Sequence, residues 1–268
     1  MNMSRPGSSR VALLSAIVLA LAPPLFAAET ADTSASAADA QGPVISPDAQ
    51  AVVDRMTAYL RTLKTYSIDS HSTRDEVVKF GYKLQHNEHA TVTVQLPNKL
   101  RAEVSGDLRD RSVVYDGAKI VIYSPDDDVY ARTSAPDSIN KLIGNVLDAG
   151  IEMPMIDVLH QASEGTLTEQ VRGGVLVGDA EIDGSDCDHL AFRQPTIDWQ
   201  LWVEKGAKAV PRKIVITTRY AVGDPQFQAV LRWNLQPKID ASTFTFTPPK
   251  DAKEIPFSNP TAINGAAP

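Results

Sequence analysis

Asp183-Gly184-Ser185-Asp186-Cys187-Asp188-His189-Leu190-Ala191-Phe192-Arg193-Gln194-Pro195-Thr196-Ile197-Asp198-Trp199-Gln200-Leu201-Trp202-Val203-Glu204-Lys205 holds the sole cysteine, one of five histidines and two of three tryptophans in a chain of 268 residues. Apolar side chains alternate on both sides of a proline-bearing loop (Cys187, Leu190, Phe192; then Trp199, Leu201, Val203), which is the period of a pleated surface. The stretch therefore predicts two strands of an antiparallel sheet. Cys187, Trp199 and Leu201 are expected toward the core, with Trp202 exposed on the opposite, more polar face.

The segments on either side extend the sheet. Val175-Leu176-Val177 and Arg212–Thr218 read as strands, and Asp183-Gly184 as a hairpin turn. In Gln226–Leu235, Phe227, Ala229, Leu231, Trp233 and Leu235 take one face, while Gln226, Gln228, Arg232 and Asn234 take the other, as in a strand with one buried side. From Tyr66 to Tyr130 the period is again near two, broken by turn chemistry at Pro97-Asn98, Asp116-Gly117 and Pro125-Asp126-Asp127, which predicts a meander of about six antiparallel strands. The doubly apolar runs Val113-Val114-Tyr115 and Ile120-Val121-Ile122-Tyr123 flank Asp116-Gly117, so both of their faces should be covered.

Two regions carry a helical period. Ser46 is a plausible cap, Pro47 suits a first turn, and Val52, Val53, Met56, Leu60 and Leu63 form one stripe, with Arg55, Arg61 and Lys64 facing out. Between Pro136 and Gln161, Ile139, Leu142, Ile143, Val146 and Leu147 recur at helical spacing up to Gly150. Ile151, Met153, Met155, Ile156, Val158 and Leu159 then form a second apolar block around Pro154. That is more apolar surface than a short helix pair can seal, so it must lie on the sheet. The residues alone thus give an α+β fold with an antiparallel sheet.

Arg5 and Arg10, an apolar run from Val11 to Leu21, and Pro23-Pro24-Leu25-Phe26-Ala27-Ala28 have the layout of a signal peptide over residues 1–28. The run is shorter than the roughly 20 residues of a spanning helix, so no permanent membrane anchor is expected. Residues 29–46 read as a flexible leader, 47–257 as a single domain, and 258–268 as a disordered tail. Cys187 lies far from the cleavage region, which argues against a lipid anchor, and a lone cysteine excludes an internal disulfide. The formal charge of −7, with 33 acidic and 26 basic residues scattered along the chain, argues against nucleic acid as a partner. A monomer is expected.

Candidate chemistry is sparse. Asp179, Glu181, Asp183 and Gly184 open like a calcium loop, but Leu190 stands where the bidentate glutamate belongs. Ser185, Asp188 and His189 supply the side chains of a hydrolytic triad, yet neighbours on a strand point to opposite faces, so Asp188 cannot orient His189. His71, His86 and His89 fall in one predicted hairpin, and their spacing along the strands favours a solvated hairpin over a metal site. No cofactor fingerprint is present. What remains is shape: helices that do not fill the concave side of a long sheet would leave a pocket, and Met153 and Met155 suit its lining.

Leu63-Lys64-Thr65-Tyr66-Ser67, Pro97–Glu103, Tyr115-Asp116-Gly117, Cys187–Phe192 and the closing Phe244-Thr245-Phe246-Thr247-Pro248-Pro249 resemble the DUF2092 family of predicted periplasmic proteins. Through it the chain is similar to the LolA/LolB-like superfamily of lipoprotein carriers. The resemblance implies a curved antiparallel β-sheet, a half-barrel wrapped around a few helices, with a hydrophobic cavity and no assigned catalytic residue. The first functional reading is a soluble periplasmic carrier of a lipid, acyl chain or lipoprotein, its cavity lined by Leu142, Ile143, Val146, Met153, Met155, Ile156, Leu159, Trp199 and Leu201. The second is an envelope sensing or interaction module that docks another envelope protein through Trp202. The third is a hydrolase using His189.

Overall fold

Ser46 holds an extended backbone and its hydroxyl accepts the Ala49 amide at 3.3 Å, while Pro47 presets the first turn, so helix α1 runs Pro47–Thr62. Its apolar stripe is buried: Ala49, Val52, Val53, Met56 and Leu60 all face inward. The computed structural model describes residues 44–148 and 154–257. The expected signal peptide, nearly all of the leader, Met153 and the C-terminal tail lie outside the described residues.

After α1 the chain makes β2 (Thr65–Val77), β3 (Lys83–Gln95), β4 (Lys99–Gly106), β5 (Arg111–Tyr115), β6 (Lys119–Ser124) and β7 (Val129–Ser134). Helices α2 (Ile139–Asp148) and α3 (Pro154–Glu164) follow, then β8 (Gly173–Ile182), β9 (Ser185–Arg193), β10 (Ile197–Glu204), β11 (Pro211–Thr218) and β12 (Gln226–Asn234). Two-residue strands β1 (Val44–Ile45) and β13 (Lys253–Glu254) lie at the ends. All of them form one open, 13-stranded sheet in the order β1-β8-β9-β10-β11-β12-β2-β3-β4-β5-β6-β7-β13. Only the outermost pairs, β1 with β8 and β13 with β7, are parallel. Apart from β12 with β2, the other neighbours are consecutive strands joined by short connections, which require antiparallel pairing. The α+β class and the six-strand meander of the sequence reading are both present, and β12 joins that meander to the second one by pairing with β2.

The inner face of the sheet carries two apolar clusters. The larger joins α1 and α3 to β9–β12 through Val53, Met56, Ala162, Leu190, Leu201, Ile214 and Leu231. At one corner Gly174 is required, because a Cβ there would meet the Phe192 ring at 2.6 Å. The smaller cluster lies under α2 and is built on Val92, Val94, Ala102, Tyr115 and Ile139. Tyr66 and Met155 touch both. The helices are tied down at their ends: Tyr115 Oη donates to the Pro136 carbonyl just ahead of α2, and Arg61 Nε and Nη2 each donate at 2.7 Å to the last carbonyls of α3, Ser163 and Glu164. Arg61 is thus exposed, as the stripe implied, but not idle. Arg55 does not point away from the protein either: its Nη2 reaches the buried Asp188 carboxylate of β9 at 2.6 Å.

The outer face is partly covered at two places. The closing segment lays Phe244 and Phe246 on it, with Phe246 5.8 Å from Tyr123 and 5.4 Å from Tyr130 between ring centroids. This explains why Val114, on the outer side of β5, is as buried as Tyr115 on the inner side. At the other place the register of β8 slips between Leu176 and Gly178, where Gly178 takes φ 145°. Ala180 and Ile182 of the β8–β9 ribbon pack on Cys187, Trp202 and Val215, and the turn residue Asp183 accepts from Arg232 of β12 at 2.8 Å.

That ribbon corrects two expectations. Cys187 and Leu190 are an odd number of residues apart, so Cys187 faces outward; it is buried by the ribbon and not by the main core. Trp202 is indeed on the opposite face from Trp199 and Leu201, but it is only 9% exposed. Burial pushes the Cys187 thiol up to about 11, so almost none is thiolate at neutral pH. A disulfide-exchange reagent at pH 8 should therefore leave the folded protein unmodified and label one thiol promptly in denaturant. Fast labelling of the native state would contradict this burial.

Candidate functional site

The inner face of the sheet is buried unevenly along its length. Under α1, Trp199 and Leu201 are 3% and 0% exposed, and Phe192 stacks on Trp199 with 4.1 Å between centroids. These two expected cavity residues have no free surface to offer a ligand, because α1 and α3 fill that side of the sheet. Under α2 the situation differs. Leu142 and Ile143 of α2 and Met155 of α3 stay half-buried in one cluster with the likewise half-buried Leu96, Leu100 and Val113, and Val146 of α2 is half-buried too. Ile122, paired opposite Val113, continues that wall. Ile156 and Leu159 of α3 are half-buried as well, with Leu159 against the larger cluster.

On the outer face the long β2–β3 hairpin brings together groups far apart in sequence. His71 sits directly opposite His89, and their rings stack at 4.5 Å with 21° between planes. Both point at Asp69, two residues back on the same face: His89 Nε2 lies 2.7 Å from Oδ2 and His71 Nε2 3.4 Å from Oδ1. The hydrogen bond from His89 holds the Asp69 carboxyl below its usual range. Beside the histidines is a cavity of about 390 Å³, bordered also by Asn87, Gln228 and Val230.

At the far end of the sheet the β2–β3 tip (Val78–Tyr82) and the β11–β12 loop stand side by side, tied by the Gln226 amide on Asp75 Oδ2 at 3.1 Å. Each holds an aromatic residue outward at positive φ, Phe80 at 68° and Tyr220 at 66°, conformations that bulky residues adopt only with strain. The two residues are 96% and 81% exposed. Tyr82 and Val222 add to the same exposed apolar end.

Residues 49–258 match the profile of a family described as "Predicted periplasmic protein (DUF2092)". The chain belongs to the DUF2092 family. This places the DUF2092 chain in the periplasm, and no helix among the described residues is long and apolar enough to cross a membrane. A search of curated proteins finds no match. Solved structures similar to this DUF2092 chain include the lipoprotein LppX of Mycobacterium tuberculosis, at 13% identity and TM-score 0.46, covering 73% of this chain and 100% of that one. A LolA superfamily protein from Nitrosomonas europaea has 10% identity and TM-score 0.33 over 73% and 96% of the two chains. The MucA/MucB complex of Pseudomonas aeruginosa has 14% identity and TM-score 0.34, over 71% of this chain and 59% of that one.

Within the DUF2092 chain the triad side chains are not brought together. Asp188 leaves β9 toward Arg55 on the inner side. His189 leaves toward the outer side, where Nε2 is 2.9 Å from Gln200 Oε1 and the ring stacks on Trp202 at 4.1 Å. Lys213 Nζ caps the other side of that indole at 5.0 Å. Trp202 is thus the floor of a closed stack, not a docking surface. The Asp69–His71–His89 grouping was missed because spacing along one strand is the wrong measure. Folding the hairpin about Phe80 pairs 71 with 89 at once, while His86 falls on the other face, against Glu76 at 2.9 Å.

Proposed function

We propose that this protein is a periplasmic binding or carrier protein that holds a lipid acyl chain or other hydrophobic ligand against the inner face of β3–β6, beneath α2 and α3. The supporting observation is the contrast between the two halves of the inner face. Under α1 the central side chains Trp199 and Leu201 are sealed, whereas under α2 Leu142, Ile143, Met155, Leu100 and Val113 are all half-buried around the smaller cluster, and Val146 on α2 is half-buried as well. Apolar groups that are left open in a concave, mostly apolar setting are the common lining of a ligand site. Met155 suits it, since an unbranched thioether adapts to irregular shapes.

The test is native mass spectrometry of gently purified protein, followed by titration with a fluorescent fatty acid. Co-purified lipid and saturable binding are expected. Leu142→Ser should weaken binding on the order of tenfold, equal to about 1.4 kcal/mol, while leaving the thermal transition close to the wild type. Protein that emerges free of lipid and ignores the probe refutes the reading.

A second reading, contact with another envelope protein, is favoured by the exposed tip aromatics Phe80, Tyr82 and Tyr220. It replaces Trp202 as the docking element, and the same mass-spectrometric experiment separates it from the first by yielding a bound polypeptide in place of lipid.

A further inference from the structure

We propose that Asp69, His71 and His89 form a binding site for a divalent first-row transition ion of the zinc class on the outer face of the sheet. One ligand atom from each, a carboxylate oxygen and two imidazole nitrogens, lies within 4.8 Å of the others. Two histidines and a carboxylate are a donor set that zinc, nickel, cobalt and copper accept and that magnesium and calcium, which prefer oxygen, do not. The distances decide how much must move. Zinc bonds of about 2.0–2.1 Å in a tetrahedron set neighbouring donors roughly 3.3 Å apart. His71 Nε2 lies 3.4 Å from Asp69 Oδ1, already close to this spacing, and His89 Nε2 lies 2.7 Å from Oδ2, which must open while the two stacked imidazoles tilt to aim at one point. The His71 and His89 side chains are 55% and 43% exposed, so both rings have room to turn while the paired strands stay in place.

The surroundings fit the assignment. The three residues sit on paired strands in the middle of the sheet, a rigid platform, and β2–β3 register fixes the two imidazoles face to face. The charged group from a neighbouring strand is Arg232, with Nη1 at 3.9 Å from Asp69 Oδ1, but its Nε is engaged by Asp183 at 2.8 Å. The adjoining cavity of about 390 Å³ leaves room for water or a small anion to complete the coordination shell. The site is on the opposite face from α2 and its apolar side chains and does not depend on the carrier reading.

The test is calorimetric titration of tag-free protein with zinc chloride, repeated with nickel chloride. One ion per chain is expected at pH 7.5. His71→Ala and His89→Ala should each weaken binding on the order of tenfold or more, since each removes one of three protein ligands. His86→Ala, on the same hairpin but the other face, should bind like the wild type. Cobalt titration adds a readout that simple surface adsorption would not give, a visible absorption band lost in the two ligand variants. No binding of zinc or nickel up to millimolar concentration overturns the proposal, and so does undiminished binding by both His71→Ala and His89→Ala.

Discussion

Trp199→Ala is expected to lower the unfolding free energy by about 3–5 kcal/mol, a large share of the roughly 5–15 kcal/mol that holds a typical domain folded. Trp199 is 3% exposed and its indole stacks on Phe192 at 4.1 Å, beneath an α1 stripe that fills the same side of the sheet. Truncation removes the largest side-chain type and leaves a cavity that neighbours on a continuous sheet cannot collapse to fill. Trp199→Phe should cost much less, because the indole Nε1 is buried with no hydrogen-bond partner and that unmet group disappears with the ring. Urea unfolding followed by circular dichroism measures both. A Trp199→Ala loss under about 1 kcal/mol would mean that this half of the inner face is as open as the half beneath α2.

Arg55→Ala should destabilise by an amount on the order of 1–3 kcal/mol, by stranding the Asp188 carboxylate against the helix. The pair meets at 2.6 Å with side chains 39% and 12% exposed. Water can partly replace the guanidinium, and Lys205 Nζ remains 3.5 Å from the other carboxylate oxygen, so the figure stays below that of a fully enclosed pair. The double variant Arg55→Met, Asp188→Leu is expected to recover most of the loss, since two apolar groups of similar size remove both charges together. A double variant no better than Arg55→Ala would show that the ion pair positions α1 and does not merely neutralise Asp188. Denaturation midpoints of the three proteins, compared at equal slope, give the answer.

The legible parts of this protein are those in which local period and global burial agree. The β12 alternation from Phe227 to Leu235, the Ser46-Pro47 start of α1 and the Asp116-Gly117 turn each reflect one short-range rule, and each is found where that rule puts it. The illegible parts depend on how distant strands meet. Nothing around Trp202 announces that Ile182 will cover it, because the covering is caused by a slipped register near Gly178 and a ribbon that bends across the sheet. Gly178 inside an apolar alternation was the available signal. The half-buried side chains under α2 were visible as an apolar excess between Pro136 and Leu159, but keeping Trp199 and Leu201 apart from them required knowing which helix covers which strands. The histidine pair shows the same division. Its chemistry is plain in the composition of the hairpin, and its geometry exists only after the two strands are aligned.

The terminal strands β1 and β13, two residues each, have a bearing on how the molecule behaves in a crowd. A sheet that never closes into a cylinder keeps two rims, and a bare rim invites another copy to add a strand and start a polymer. Here one rim ends in Lys253-Glu254 bracketed by prolines at 248, 249 and 256, with Glu254 clasped by Arg132 through two 2.7 Å bonds. Along the other, β1 shields only Gly173 and Gly174, and the rest is bent by the slip at Gly178 and carries the exposed acids Asp179 and Glu181. The irregularity that buries Trp202 therefore also denies a straight template to an incoming strand, so colloidal stability and the closed stack on the outer face rest on the same break in register.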